Sequence, residues 1–108
     1  MKVKFANDVV KECTAPTEQK VFKPVGTTNV GVGWVLVLRL TGNMTSTELD
    51  AVLTEGNVST LEFLTVDESG AEKMLFSLEG YNKITASTIR HSEDSAAAYT
   101  EIQMSKGV

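Results

Sequence analysis

Between Gly33 and Gly42 the chain reads Trp34-Val35-Leu36-Val37-Leu38-Arg39-Leu40-Thr41, apolar on both parities of a period-two register. Trp34, Leu36, Leu38 and Leu40 share one side, and Val35 and Val37 the other. The length, the valines and the flanking glycines favour strand over helix. A strand greasy on both faces belongs in the middle of a sheet, so residues 34–40 are expected to be central and covered on both sides.

Other segments alternate more simply. Lys2-Val3-Lys4-Phe5 puts Val3 and Phe5 inward, and Val9–Thr14 is expected to return after an Asn7-Asp8 turn. Leu61 and Phe63 alternate with Glu62, Asp67-Glu68-Ser69-Gly70 reads as a hairpin turn, and Met74, Phe76 and Leu78 line the returning strand. Gly80 suggests a bulge, and 81–90 continues in β-compatible Thr and Ile. After a polar loop at 91–95, Ile102 and Met104 point inward, with Tyr99, Glu101 and Gln103 outward. Residues 15–33, punctuated by Pro16, Pro24, Gly26, Gly31 and Gly33, read as an extended arm or surface loop.

One helix stands out. Thr45-Ser46-Thr47-Glu48 is a capping box, with Met44 and Leu49 placed as a hydrophobic staple. Leu49, Val52 and Leu53 form an apolar stripe opposite Glu48, Asp50 and Glu55, and Gly56 supplies a left-handed stop. The expected helix, near 46–55, is too short to stand without a sheet beneath it. The predicted fold is mainly β (α+β): an antiparallel β-sandwich or roll of about six strands with this one helix, in a single domain over 1–108.

Composition narrows the function classes. A net charge of −4 disfavours nonspecific binding to nucleic acid or an anionic membrane. The charge is uneven: residues 1–33 hold five Lys and three acids (+2), residues 34–108 five Lys or Arg and eleven acids (−6). A single cysteine, Cys13, excludes an intrachain disulfide. Met1-Lys-Val-Lys-Phe5 lacks the apolar run of a secretory signal, and the expected location is the cytoplasm of the producing cell.

Candidate chemistry is sparse. His91, the lone histidine, sits in a polar loop beside Glu93 and Asp94, and a Cys13–His91 nucleophile–base pair has no local support. Gly26, Gly31 and Gly33 precede a strand and lack the Gly-Lys-Ser/Thr ending of a phosphate loop. Asp67, Glu68 and Glu72 lack calcium-loop spacing. Asn43 and Asn57 match the glycosylation acceptor pattern, as turn and cap residues do by coincidence. Trp34, Phe63 and Tyr81 have no basic stripe to make them a base-stacking platform. No catalytic residue, metal or cofactor is expected.

What remains is interaction. A short first strand, an open terminal strand ending at Met104 and the arm at 15–33 are edges that neighbours would complete. Lys20, Phe22 and Val25 on the arm and Tyr99, Glu101 and Gln103 on the terminal strand are the candidate contact residues. The opening Met1–Asp8, the Thr45–Leu53 helix, the Asp-Glu-Ser-Gly hairpin and Leu78-Glu-Gly-Tyr81 resemble small phage or prophage structural, tail-associated proteins of Gram-positive bacteria. The resemblance implies a non-enzymatic virion structural or assembly protein that contacts itself or partner virion proteins and ends up in the virion. It assigns no functional residue. A small β-domain binding a ligand, peptide or glycan through loops 23–33 and 91–95 is the alternative.

Overall fold

Two four-stranded antiparallel sheets make up the molecule, consistent with a β-sandwich. The computed structural model describes residues 1–81, 83–94 and 96–107. Asn82, within the strand expected over 81–90, and Ser95, within the loop expected over 91–95, lie outside the described residues, as do Val108 and the Glu55 side chain. The strands are β1 (Lys2–Lys4), β2 (Val10–Glu12), β3 (Thr17–Val25), β4 (Thr28–Thr41), β5 (Thr60–Val66), β6 (Glu72–Glu79), β7 (Lys83–Arg90) and β8 (Tyr99–Gly107). Helix α1 (Ser46–Val52) and a 3-10 turn (Glu55–Val58) lie between β4 and β5. The first sheet runs β2-β1-β5-β6, the second β3-β4-β8-β7.

The core forms where the inward parities of the two sheets meet. Val3 and Phe5, Leu36, Leu38 and Leu40, Leu61 and Phe63, and Ile102 and Met104 are all buried there. β4 is indeed central, between β3 and β8. Its second face is only half covered, however: Val35 and Val37 are intermediate in exposure, because among the described residues no layer packs over the outside of the second sheet as the first packs over the inside. Trp34 is likewise partly buried, against the rim of the core.

Local chemistry sets the turns. Asp8, not a glycine, takes the left-handed conformation (φ 67°) that closes β1 onto β2, and its amide donates to the Phe5 carbonyl. At the β5–β6 turn the Asp67 carboxylate accepts from the Ser69 amide (2.9 Å), the Ser69 hydroxyl (2.6 Å) and the Ala71 amide (3.0 Å), and Gly70 supplies φ 85°. These donors, the Ser69 hydroxyl first, hold the Asp67 carboxyl below the usual carboxylate range.

The capping box is present in both directions, with Thr45 and Glu48 exchanging backbone-to-side-chain bonds at 3.2 Å. Met44 is buried and Leu49 packs against the core, as a staple requires. The helix ends earlier than expected, and Gly56 is not its left-handed stop. Side chains satisfy the last carbonyls instead. The Thr54 hydroxyl donates to the Asp50 carbonyl (2.8 Å), and the Asn57 amide donates to that of Ala51 (2.6 Å). Gly56 falls inside the following 3-10 turn, which adds buried Val58 to the core. Gly80 is not a bulge either: with φ 88° it ends β6, and the chain then leaves the first sheet for the second.

The two strands added to the expected six arise from β3 and the split of 72–90 between sheets. Residues 17–25, read as arm or loop, pair with β4 throughout, joined by the two-residue turn Gly26-Thr27 with Gly26 at φ 62°. The chain enters this hairpin from β2 through Cys13, which bridges to Leu40, so β2 and β3 stitch the two sheets together at one corner.

Candidate interaction surface

The described part of β8 ends opposite Gly33, five residues into β4, with Gly107 across from it. Among the described residues, the stretch Thr28–Val32 of β4 pairs with β3 alone, and there the hairpin runs on as a two-stranded arm. A Cβ on Gly33 would stand 2.5 Å from the Lys106 carbonyl oxygen, so glycine is what lets β8 approach where the arm leaves the body. The molecule measures 51 × 32 × 23 Å. Its radius of gyration of 15.3 Å exceeds the roughly 13 Å of a compact chain this long.

The arm is apolar where water reaches it. Every residue of β3 is exposed, Phe22 at 56% and Val25 at 58%, and Val21, Val30 and Val32 are exposed beside them. Lys20 lies on the same face, its ammonium 5.8 Å from the ring centroids of both Phe22 and Trp34. At the arm's base the Glu18 carboxylate accepts a hydrogen bond from the hydroxyl of Tyr81, which is fully buried. Lys106 covers the Tyr81 ring at 4.5 Å and donates to the Glu79 carbonyl at 3.3 Å. Burial, and then Glu18, push the Tyr81 phenol above its ordinary range.

The two groups of candidate contact residues fare differently. Lys20, Phe22 and Val25 stand together on the projecting strand. Tyr99, Glu101 and Gln103 lie on β8, which is hydrogen-bonded on both sides, to β4 and β7. The terminal strand is thus not an open edge, and the short first strand is not one either, since β1 lies between β2 and β5. Long-range pairing decides edges, and the ends of the chain were claimed by interior positions. Arg39 donates to Glu101 at 3.0 Å and stacks 4.2 Å from the Tyr99 ring, so this half-buried face is tied up within the molecule.

A second apolar strip went unread in the sequence. β6 is an edge strand, and Met74 (60% exposed), Leu75 and Phe76 are exposed on it, with Val66 opposite its start. Phe76 stacks on buried Phe63 at 4.7 Å, yet its own outer side is uncovered. The signal was there: three successive apolar residues, Met74-Leu75-Phe76, cannot all face one core.

No protein-family model matches the chain, and neither curated proteins nor solved structures provide a match. Function must therefore be argued from these surfaces. His91 is exposed and Cys13 buried in the core, where burial pushes its thiol up to about 11; the two do not come together as a reactive pair. Gly26, Gly31 and Gly33 are the turn and pleat of a hairpin and form no cradle. Asn43 exchanges hydrogen bonds with the Ser92 backbone, and Asn57 completes the helix end. Phe63 and Tyr81 are fully buried, so with Trp34 they present no platform. Among the described residues no three metal-ligating side chains cluster. An open cleft of about 760 Å³ beside β2 includes Lys2 and Lys11, but Glu72 and Glu48 already pair with these lysines. Among the described residues no helix is long and apolar enough to cross a membrane.

Proposed function

We propose that this chain is a non-enzymatic structural or assembly subunit that works through contacts with copies of itself or with partner proteins, in keeping with its resemblance to tail-associated phage and prophage proteins. One observation carries the reading. A two-stranded hairpin with five large apolar side chains in water projects from a body that has its own complete core. An isolated hairpin of this kind is marginal in water, and exposed apolar strands are aggregation-prone unless something covers them. None of the five side chains belongs to the buried core of the body, so covering them is a use for the arm.

Sedimentation velocity over a wide concentration series tests the reading, with capture of partners from a prophage-induced host beside it. The comparison is a trimmed variant in which residues 21–33 are replaced by Asn-Gly, closing the hairpin at the Lys20–Trp34 pair. The full chain is expected to assemble or capture a virion protein, and the trimmed chain to melt normally but do neither. A full chain that stays monomeric and captures nothing would overturn the proposal.

A further inference from the structure

Nine of the twelve large apolar side chains exposed among the described residues lie in two strips. Five are on the arm (Val21, Phe22, Val25, Val30, Val32), and four are on the β5–β6 hairpin (Val66, Met74, Leu75, Phe76). The strips are on different sheets, and both border open strand edges, β3 and β6. Their charges are opposite. The exposed arm carries Lys20 and Lys23, the Glu18 carboxylate at its base being occupied by Tyr81. The β5–β6 hairpin from residue 66 to 79 carries Asp67, Glu68, Glu72 and Glu79 against Lys73, with Asp67 paired to Lys73 and Glu72 to Lys2 of β1, so the hairpin still keeps an excess of negative charge.

We infer that the β3 edge of one copy docks along the β6 edge of a second copy, joining the second sheet of one subunit to the first sheet of the next. This rests on the assembly reading above and names its partner and geometry. The strands are nearly equal in length, nine residues in Thr17–Val25 and eight in Glu72–Glu79. Alternating main-chain hydrogen bonds would supply affinity, while the apolar rows and opposite charges set the choice of edge. The competing pairings fit less well: β6 against β7, though opposite in charge, leaves the apolar row of the arm uncovered, and the β2 edge is only three residues long with one Lys and one Glu. β3 against β3 sets Lys20 and Lys23 against their own copies, and β6 against β6 does the same with Glu72 and Glu79. β7, the remaining edge of the second sheet, bears Lys83 and Arg90 and repels the arm. Pro24 costs the docked edge one donor, which an edge strand tolerates. Because the two surfaces differ, the contact is heterologous and propagates into a ring or a filament.

Charge reversal on each strip separates this docking from any other assembly. Lys20→Glu with Lys23→Glu, or Glu72→Lys with Glu79→Lys, is expected to weaken association at least about tenfold by sedimentation. The chain carrying all four substitutions is expected to regain it, since arm and acceptor are again opposite in sign. A β3–β3 contact would leave the four-substitution chain as weak as the arm double variant. Assembly that ignores all the reversals, or that fails to return in the four-substitution chain while its melting curve is native, overturns the docking and leaves the assembly reading standing. A monomeric wild-type chain that still captures a virion partner also overturns the docking alone, whereas one that captures nothing overturns both.

Discussion

The Tyr81–Glu18 bond ties the base of the arm to the point where the chain crosses between sheets, and Tyr81→Phe isolates it. Phenylalanine keeps the ring that fills the core and the face that Lys106 covers, and it removes only the hydroxyl. A hydrogen bond to an ionised group contributes about 1.5–3 kcal/mol net. Glu18 lies on an exposed strand and is rehydrated when released, so the expected loss falls below that range, at about 1 kcal/mol, the size of an ordinary neutral hydrogen bond. At about 2.1 cal/mol/K per residue the unfolding entropy of 108 residues is roughly 0.23 kcal/mol/K, so Tm should fall by about 4 °C. The pH dependence gives the sharper check. Tyr81 is raised in the folded state, so its contribution is complete below the ordinary tyrosine value near 10 and is lost as pH rises beyond it. One unit above that value, ionisation of the unfolded chain removes about 1.4 kcal/mol from the wild type and nothing from the Phe variant at this site. Melts at pH 7 and pH 11 should therefore show a deficit of about 4 °C that closes or reverses. A double-mutant cycle with Glu18→Gln should recover a coupling of about 0.5–1.5 kcal/mol. A deficit that widens with pH, or a coupling of zero, would refute the account.

Thr45→Ala removes the N-cap acceptor of α1 and is expected to cost about 1 kcal/mol, read as a Tm loss and as faster exchange of the Glu48 amide. The Cys13 thiol, buried and raised to about 11, should resist a disulfide reagent at pH 8 in the native chain and react promptly in denaturant; equal rates would place it at the surface. Its stabilising contribution is present below the ordinary thiol value and fades as pH climbs toward 11. Gly80→Ala forces a side chain into φ 88° at the crossing between sheets and should cost about 1–2 kcal/mol by chemical denaturation, whereas Gly56→Ala, at a glycine without positive φ, should cost far less. Amides of Phe22, Lys23 and Val30 should exchange within seconds in dilute protein and gain protection on concentration, and unchanged exchange would leave the arm without a partner.

Much of the fold lies in short-range pattern. Parity gave Val3, Phe5, Leu61, Phe63, Ile102 and Met104 as core, and burial agrees for each. The Thr45–Glu48 box and the Asp67–Gly70 turn were legible because the bonds that make them span at most four residues. The end of α1 was less so. Gly56 looks like a stop, but Thr54 and Asn57 do that work through donors whose targets appear only once the backbone has turned.

The chain taken alone therefore determined the mainly β class, the inward parity, the capped helix and the turns, all consequences of neighbours within a few positions. Only the tertiary structure decided which strands are edges. β8 and β1 have open-looking sequences but sit inside their sheets, and β3 and β6 stand at the rims carrying the exposed apolar rows. A strand's free side depends on who pairs with it, across separations such as Lys2 to Leu64 or Trp34 to Lys106, and no local period encodes that. The candidate surface followed the same rule: Lys20, Phe22 and Val25 were legible as a punctuated arm, whereas the Met74–Phe76 strip became a surface only because β6 ends its sheet among the described residues.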